Sequence, residues 1–576
     1  MLKLSRFLAP HRRLLVLVLV LALAQSLANL LLPRLTSEIV DQGIVKGDQR
    51  AILEVGALML LMSMVATVCA IAGSFYSAKV ATGFGRDLRG AIFARAERLS
   101  IHQFERFGSA SLVTRTTNDT TQVQQMIIMM LTMVIAAPMM AIGGVILALS
   151  QDAQLAWVLI AVMPVMAVVF ALIMRGAVPL STAMQLKIER LNLVLGEGLS
   201  GVRVIRAFDR GARQRARFDE ANLDLTNTAI AVNRLIAVLM PALILMLNFT
   251  SVAIIWVASH RIDAGVMQVG AMFSSLQYAM QILFAVFMVT AMFVMLPRAS
   301  ASAARIIEVL DLEPEIAEPM TGSRTPVAGG GHVEFRHVTF QYPGAEEPAL
   351  TGVSFTAHPG EITAIVGGTG SGKSTLAGLI PRFYDAIDGQ VLLDGVDVRE
   401  MTQADLRARI GFVPQAAVLF SGTVAANIRY GREDASDDEV RHAATVAQAI
   451  DFIEAMPEQF ASPISQGGIN LSGGQKQRLS IARAIVRRPD VYVFDDSFSA
   501  LDFTTDARLR AALRAETAHA TVFIVAQRIS TVITADRIVV LDEGRVAGIG
   551  RHADLLKTCA VYREIAESQA SLEEVA

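Results

Sequence analysis

Six long apolar stretches, at 14–32, 55–75, 126–149, 155–174, 235–258 and 271–296, contain no Asp, Glu, Lys or Arg in their interiors. Transport of ions or protons leaves such a residue at membrane depth, so its absence points to an apolar or amphipathic cargo. Charge is scarce throughout: 18% of the 576 residues carry it, and the formal net charge is −2. That balance gives no reason to suspect a nucleic-acid partner, whose footprint would need a basic excess or a clustered patch. Cysteine is nearly missing too. Cys69 lies in an apolar run and Cys559 near the C-terminus, which excludes a disulfide framework and a cysteine metal centre and leaves both thiols inert.

What is abundant is hydrophobicity, 53% of residues with a mean hydropathy of +0.47. This is a membrane protein with a soluble part. Each apolar stretch has the roughly 20 residues needed to cross the hydrocarbon core. The first is too long for a cleavable signal peptide and no small-residue cleavage site follows it, so it stays as an anchor. Basic residues crowd between spans two and three (Lys79, Arg86, Arg89, Arg95, Arg98, Arg106, Arg115) and between spans four and five (Arg175 to Arg234). By the positive-inside rule, both termini and these segments face the cytoplasm across the cell (inner) membrane. The two segments, about 50 and 60 residues long and free of proline apart from Pro179, predict helices continuing far beyond the bilayer. The expected divisions are a cytoplasmic segment 1–13, a six-helix transmembrane domain 14–300, a Pro/Gly/Ser-rich linker 301–331, a soluble domain 332–567 and an acidic tail 568–576. In the soluble domain, runs such as EITAIVG, DVYVFD and ATVFIVA alternate with helical patterns. These predict an α/β fold with a largely parallel sheet.

In that domain GGTGSGKST, residues 367–375, follows a strand-like run and precedes a helical one. The spacing is that of a P-loop. Gly367, Gly370, Ser371 and Gly372 let successive backbone N–H groups converge on phosphate oxygens; Lys373 reaches the terminal phosphates, Ser374 can hold Mg²⁺, and Thr375 continues the helix. The implied ligand is ATP or a close relative. Downstream, VYVFDD carries an apolar strand into Asp495, placed to hold the Mg²⁺.

Between these motifs stands LSGGQ, Leu471, Ser472, Gly473, Gly474 and Gln475. Here the sequence resembles the ATP-binding cassette (ABC) transporters over nearly the whole chain, as an exporter-type half-transporter: six spans with long cytoplasmic extensions, then an α/β P-loop cassette. The resemblance implies that Tyr342 stacks on adenine, that Gln415 in FVPQ is the Q-loop residue and a third Mg²⁺ ligand, and that SALD, Ser499 to Asp502, is the D-loop. LSIHQFERFGSASLVTRTTND and GEGLSGVRVIRAFDRGARQRARF resemble the two cytoplasmic coupling regions. It also implies two cassettes facing head to tail, so that LSGGQ, at a helix start, serves the partner's nucleotide.

Hydrolytic members of the family follow the magnesium aspartate with a glutamate and carry a histidine in a later switch loop. This chain has Asp496 and Gln527 instead, and ISQGG at 464–468 where many exporters carry an acidic-basic pair. An aspartate is shorter by roughly 1.5 Å, and a misplaced base forfeits a factor of about 10² to 10⁴. Glutamine cannot shuttle a proton. The expectation is a degenerate site that binds ATP and hydrolyses it poorly, in a heterodimer whose second half-transporter supplies the glutamate and histidine. The alternative is independent drift in an active enzyme. A homodimeric lipid flippase or importer and a nucleotide-gated channel are the rival assemblies, although the channel wants pore charges and a regulatory insertion, and neither is present.

Cargo is less defined. Drugs, lipids and siderophore-like molecules fit an uncharged pathway beside membrane lipids. Gln25, Ser26, Asn29, Asn248, Thr250, Ser251, Ser274, Ser275, Gln277 and Gln281 are the neutral polar exceptions in the spans, available for cargo contacts or for bonds between helices. The 25 methionines, clustered in spans three and six, suit either a promiscuous cavity or simple filling.

Overall fold

The computed structural model describes residues 2–319 and 330–573; the stretch 320–329 of the expected linker and residues 574–576 of the acidic tail lie outside the described residues. The chain forms two compact units. One comprises the residues up to Arg98 together with Phe107–Leu312, the other Leu99–Arg106 together with Glu313 onward.

The first unit is helical, and six of its helices are long and apolar enough to cross a membrane. Gln49–Ala96, Ala153–Ser200 and Gly211–Asp263 hold 48, 48 and 53 residues. At about 1.5 Å per residue they reach over 70 Å, more than twice the hydrocarbon thickness of ~30 Å. The expected extensions are therefore present. Span three is split into Thr120–Met133 and Ala136–Gln151. Pro138 explains the break, since it has no N–H for the carbonyl of Val134 and its ring crowds that carbonyl. Two aspartates start the long helices: Asp48 accepts from the amides of Arg50 and Ala51 at 2.9 and 3.2 Å, and Asp152 from those of Gln154 and Leu155 at 2.9 and 3.0 Å. The other oxygen of Asp152 takes two hydrogen bonds from Arg261 at 2.7 and 3.1 Å. One buried carboxylate thus caps span four and pairs with the end of the span-five helix.

The last helix, Val269–Asp311, runs eleven residues into the stretch expected to be linker, 301–311. That boundary is corrected. Ala303, Ile306, Val309 and Leu310 recur at helical spacing and are buried with Leu88 and Ile92 of the second helix. Alongside them, Asp119 is buried and accepts from Ser302 at 2.9 Å and from Arg305 Nε at 2.8 Å. Burial pushes its pKa up, but the bonds from Arg305 and Ser302 outweigh that, and the carboxyl sits below its usual value.

The second unit is built on two main sheets, with a small antiparallel pair of Gly422–Thr423 and Pro463–Ile464 in addition. The larger orders its strands Arg545–Gly550, Arg537–Asp542, Ile362–Gly367, Thr521–Val525, Val491–Asp495, Ile410–Val413, parallel except for the Arg545–Gly550 edge. This is the largely parallel sheet expected. A second, antiparallel sheet of Leu350–Ala357, Val333–Phe340, Asp388–Leu393 and Val396–Asp397 was not anticipated. The short helix Ile101–Phe107 begins in the segment Leu99–Arg106, which packs within this unit although it lies far upstream in sequence. Ser100 Oγ donates to Glu315 at 2.6 Å and the Gln103 amide to the Glu313 carbonyl at 2.8 Å. The expected tail is also corrected, because the final helix, Ala560–Glu573, takes in residues 568–573.

Candidate functional site

In the larger sheet, Ile362–Gly367, Val491–Asp495 and Thr521–Val525 are neighbours and parallel, so the segments that follow them emerge side by side at one edge. Such carboxyl edges are where α/β sheets bind ligands. After the first strand the chain turns through Gly370 and Gly372, at φ of +83° and +95°, values that only glycine adopts freely. A Cβ on Gly372 would meet Leu350 Cδ2 at 2.7 Å and the Ala349 carbonyl at 2.8 Å. The helix Lys373–Leu379 then begins. Lys373 Nζ donates back to the carbonyls of Gly367 and Gly368, at 2.9 and 2.6 Å, and burial lowers its pKa against the pull of Asp496 and Asp495. Within the turn the Ser371 hydroxyl is buried with no protein partner. An orphaned hydroxyl inside a glycine-built cradle, beside a lysine, suits a phosphate group.

Ser374 Oγ donates to Asp495 at 2.9 Å, so two oxygen ligands for a cation stand together. Among the described residues no cluster of three or more His, Cys, Asp or Glu could hold a metal. Mg²⁺ at a phosphate site keeps waters and phosphate oxygens as ligands and takes few from protein. Burial raises the Asp495 pKa, Asp496 pushes the same way, and the Ser374 bond and Lys373 only partly oppose it. A raised carboxyl pKa favours the protonated form, which cannot ligate Mg²⁺. The expected result is that Mg²⁺ enhancement of ATP affinity is lost, as pH falls, at a higher pH than an ordinary aspartate would give. Equilibrium binding with Mg²⁺ or EDTA over a pH series checks this, and Asp495→Asn should remove both the enhancement and its pH dependence.

Asp496 sits just beyond the strand at φ +46°, a left-handed conformation that short polar residues tolerate best. Its N–H continues the pairing to the Val525 carbonyl at 3.1 Å, and Ser499 Oγ donates to its carbonyl at 2.9 Å. Its side-chain Oδ2 accepts two amides, Gln415 Nε2 at 3.2 Å and Gln527 Nε2 at 2.9 Å. Burial raises its pKa as well. Gln415 donates through nitrogen, which leaves its amide oxygen as the atom that could face a cation.

These parts enclose a cavity of about 410 Å³ lined by Tyr342, Gly370, Lys373, Ser374, Gln415, Asp496 and Gln527, with Gly372 and Thr375. The Tyr342 and Thr375 hydroxyls lie 2.9 Å apart. Ala349, Thr369 and Val525 also line it, and Tyr384 meets the Tyr342 ring edge to face at 5.5 Å. No spacing signal marks Tyr384, 42 residues away.

The signature residues do not line this cavity. Ser472 caps the helix Gly473–Arg487 by accepting from the Gln475 amide at 3.3 Å, while Gln475 Oε1 accepts from the Ser472 amide at 2.9 Å. The reciprocal cap fixes the first turn of this helix and occupies the Gln475 amide oxygen. Gly473 is exposed with open space where a Cβ would stand, whereas a Cβ on Gly474 would meet the Ala500 carbonyl at 3.1 Å. Asp502 caps Phe503–Glu516 through the Thr505 amide at 2.9 Å. In the ISQGG segment Gly467 and Gly468 both have positive φ, +66° and +63°.

Comparison with known proteins agrees with this geometry. Residues 15–286 match the family described as the ABC transporter transmembrane region, and 350–499 match the family described as ABC transporter. An uncharacterised ABC transporter ATP-binding protein of Mycobacterium tuberculosis is 44% identical over 98% of this chain and 97% of its own length. An ATP-dependent lipid A-core flippase of Thiobacillus denitrificans is 34% identical over 98% of this chain and 97% of its own. A solved bacterial Atm1-family ABC exporter with ATP bound superimposes with a TM-score of 0.82 at 27% identity, covering 97% of this chain and 98% of that one. Six membrane-crossing helices joined to a P-loop cassette, with relatives matched end to end, settle the family: this chain belongs to the ABC transporters of exporter type, which couple ATP hydrolysis to transport across a membrane.

Proposed function

We propose that the chain is one half of a heterodimeric exporter of lipid-like or amphipathic molecules. It binds Mg²⁺-ATP at its own P-loop, hydrolyses it poorly there, and completes a competent site on its partner with LSGGQ. The observation that carries this reading is the environment of Asp496. Its carboxylate accepts from Gln415 and from Gln527, neither of which can take up or relay a proton at neutral pH. The phosphate cradle beside it is intact. The site therefore keeps the parts that hold ATP and lacks those that activate water.

A two-chain assembly has further support in the second coupling region. Leu199, Val204 and Phe208 are 69, 61 and 73% exposed, outside the apolar stretches, and apolar surface there calls for a protein partner. The basic residues flanking the spans support a cytoplasmic location for both termini and the cassette. For cargo, the similarity to a lipid A-core flippase agrees with spans free of charge. Several neutral polar groups are taken up by helix contacts: Gln281 donates to the Asn29 carbonyl at 3.1 Å, Ser274 to Gln151 at 2.5 Å, and Ser26 to Ala22 at 2.8 Å. Their role is interhelical or local.

Purified without a partner, the chain should show little Mg²⁺-dependent ATPase activity and no stable homodimer. A homodimer with brisk turnover would sink the heterodimer reading in favour of a homodimeric flippase.

A further inference from the structure

We infer that Gln569, in the C-terminal helix Ala560–Glu573, is a positioning residue for the switch loop and sets how long nucleotide stays at this chain's P-loop. Its side-chain amide grips the loop backbone at two points. Nε2 donates to the Gln527 carbonyl at 2.7 Å, and Oε1 accepts from the Ile529 amide at 2.7 Å. The second bond fills a particular gap. Ile529 opens the short helix Ile529–Val532, and its capping residue, Arg528, makes no side-chain cap bond. The first amides of a helix have no partner within it, and here a residue 40 positions downstream supplies one.

The grip is held by the body of the domain. Tyr562, Ile565, Ala566 and Gln569 follow the i, i+3, i+4, i+7 pattern of a single helix face. Tyr562 is fully buried, with its hydroxyl 2.8 Å from His552 Nδ1, and Ile565 and Ala566 pack against the same core. Gln569 is thus the polar last member of a docked apolar stripe, placed where that stripe meets the switch loop. From the other side, Arg510 donates to the carbonyls of Ser530 and Thr531, both at 3.1 Å, so the loop is clamped between two helices. Gln527 lies inside the clamp, and its side chain reaches Asp496 at 2.9 Å. Releasing Gln569 frees the backbone that aims Gln527 without touching the nucleotide cavity, which Gln569 does not line. The inference concerns positioning and is independent of whether the site hydrolyses.

The test is a chase of radiolabelled azido-ATP from the full-length, membrane-embedded chain, followed by photocrosslinking at successive times. Gln569→Ala should release the nucleotide on the order of fivefold faster, the worth of about one neutral hydrogen bond, with an unchanged thermal unfolding midpoint. Gln569→Glu keeps the acceptor for Ile529 and loses the donor to Gln527, so its release rate should fall between wild type and Gln569→Ala. In a Gln527→Ala background the Gln569→Ala effect should disappear, because both act through the same contact. Unchanged release in Gln569→Ala overturns the proposal. So does an equal acceleration with and without the Gln527 side chain, or a release rate that merely tracks lost stability across both Gln569 variants.

Discussion

Gly473→Asp should abolish nearly all ATP hydrolysis by the assembled transporter, whereas Lys373→Ala in the same chain should leave most of it. The asymmetry comes from the crossed arrangement that the proposed function requires. A carboxylate at position 473 stands against the γ-phosphate held by the partner. Like charges about 4 Å apart in a partly dry interface repel by about 4 kcal/mol, or close to 10³-fold. Open space where the new Cβ would stand makes this a clean substitution. A change at Gly474 would instead press on the Ala500 carbonyl and disturb the fold. Lys373→Ala removes the cation from this chain's own cradle, so ATP binding there weakens and transport slows while the partner's site keeps turning over. Steady-state ATPase rates decide the matter. If Lys373→Ala is the more damaging, or the two are equal, the degenerate site does not belong to Asp496.

The second large effect is a gain. With the partner's site silenced by Gly473→Asp, residual hydrolysis reports this chain's own P-loop. In that background Asp496→Glu with Gln527→His should raise the rate by about 10² to 10⁴, the worth of a positioned general base with a proton-carrying neighbour. Asp496→Glu alone should recover only part of it. The Gln527 amide would still hold the carboxylate, and the backbone at φ +46° favours aspartate over longer side chains. No gain in the double variant, or a wild-type rate at this site already matching the partner's, would leave Asp496 and Gln527 as neutral drift.

The site was more legible than its supports. A P-loop between a strand and a helix, an apolar strand ending in Asp495, and the pair Asp496 and Gln527 are local patterns, and neighbouring parallel strands bring them to one edge. Six spans were legible because hydrocarbon imposes length and apolarity residue by residue. Other features are decided by tertiary partners. The stretch 301–311 looked like linker because it runs directly into a Pro-, Gly- and Ser-rich segment, yet Ala303, Ile306 and Val309 form a buried stripe once Leu88 and Ile92 lie opposite. The break in span three needed attention to Pro138 within an otherwise unbroken apolar run. The antiparallel sheet pairs Val333–Phe340 with Asp388–Leu393 across the whole P-loop, a separation at which periodicity is silent. Gln569 carried no signal at all, since an amide near the end of an acidic helix reads as solvated surface.

The placement of Leu99–Arg106 with the cassette bears on how the protein is made. Ser100 finds its partner, Glu315, 215 residues later in the chain. At about 5 to 20 residues per second, roughly 10 to 40 s of synthesis separate the two. During that interval the segment has left the ribosome, four further spans are being inserted, and the surface it will join does not yet exist. Docking of this segment is therefore a late event in biosynthesis, in which a piece delivered early waits for a surface made long after it.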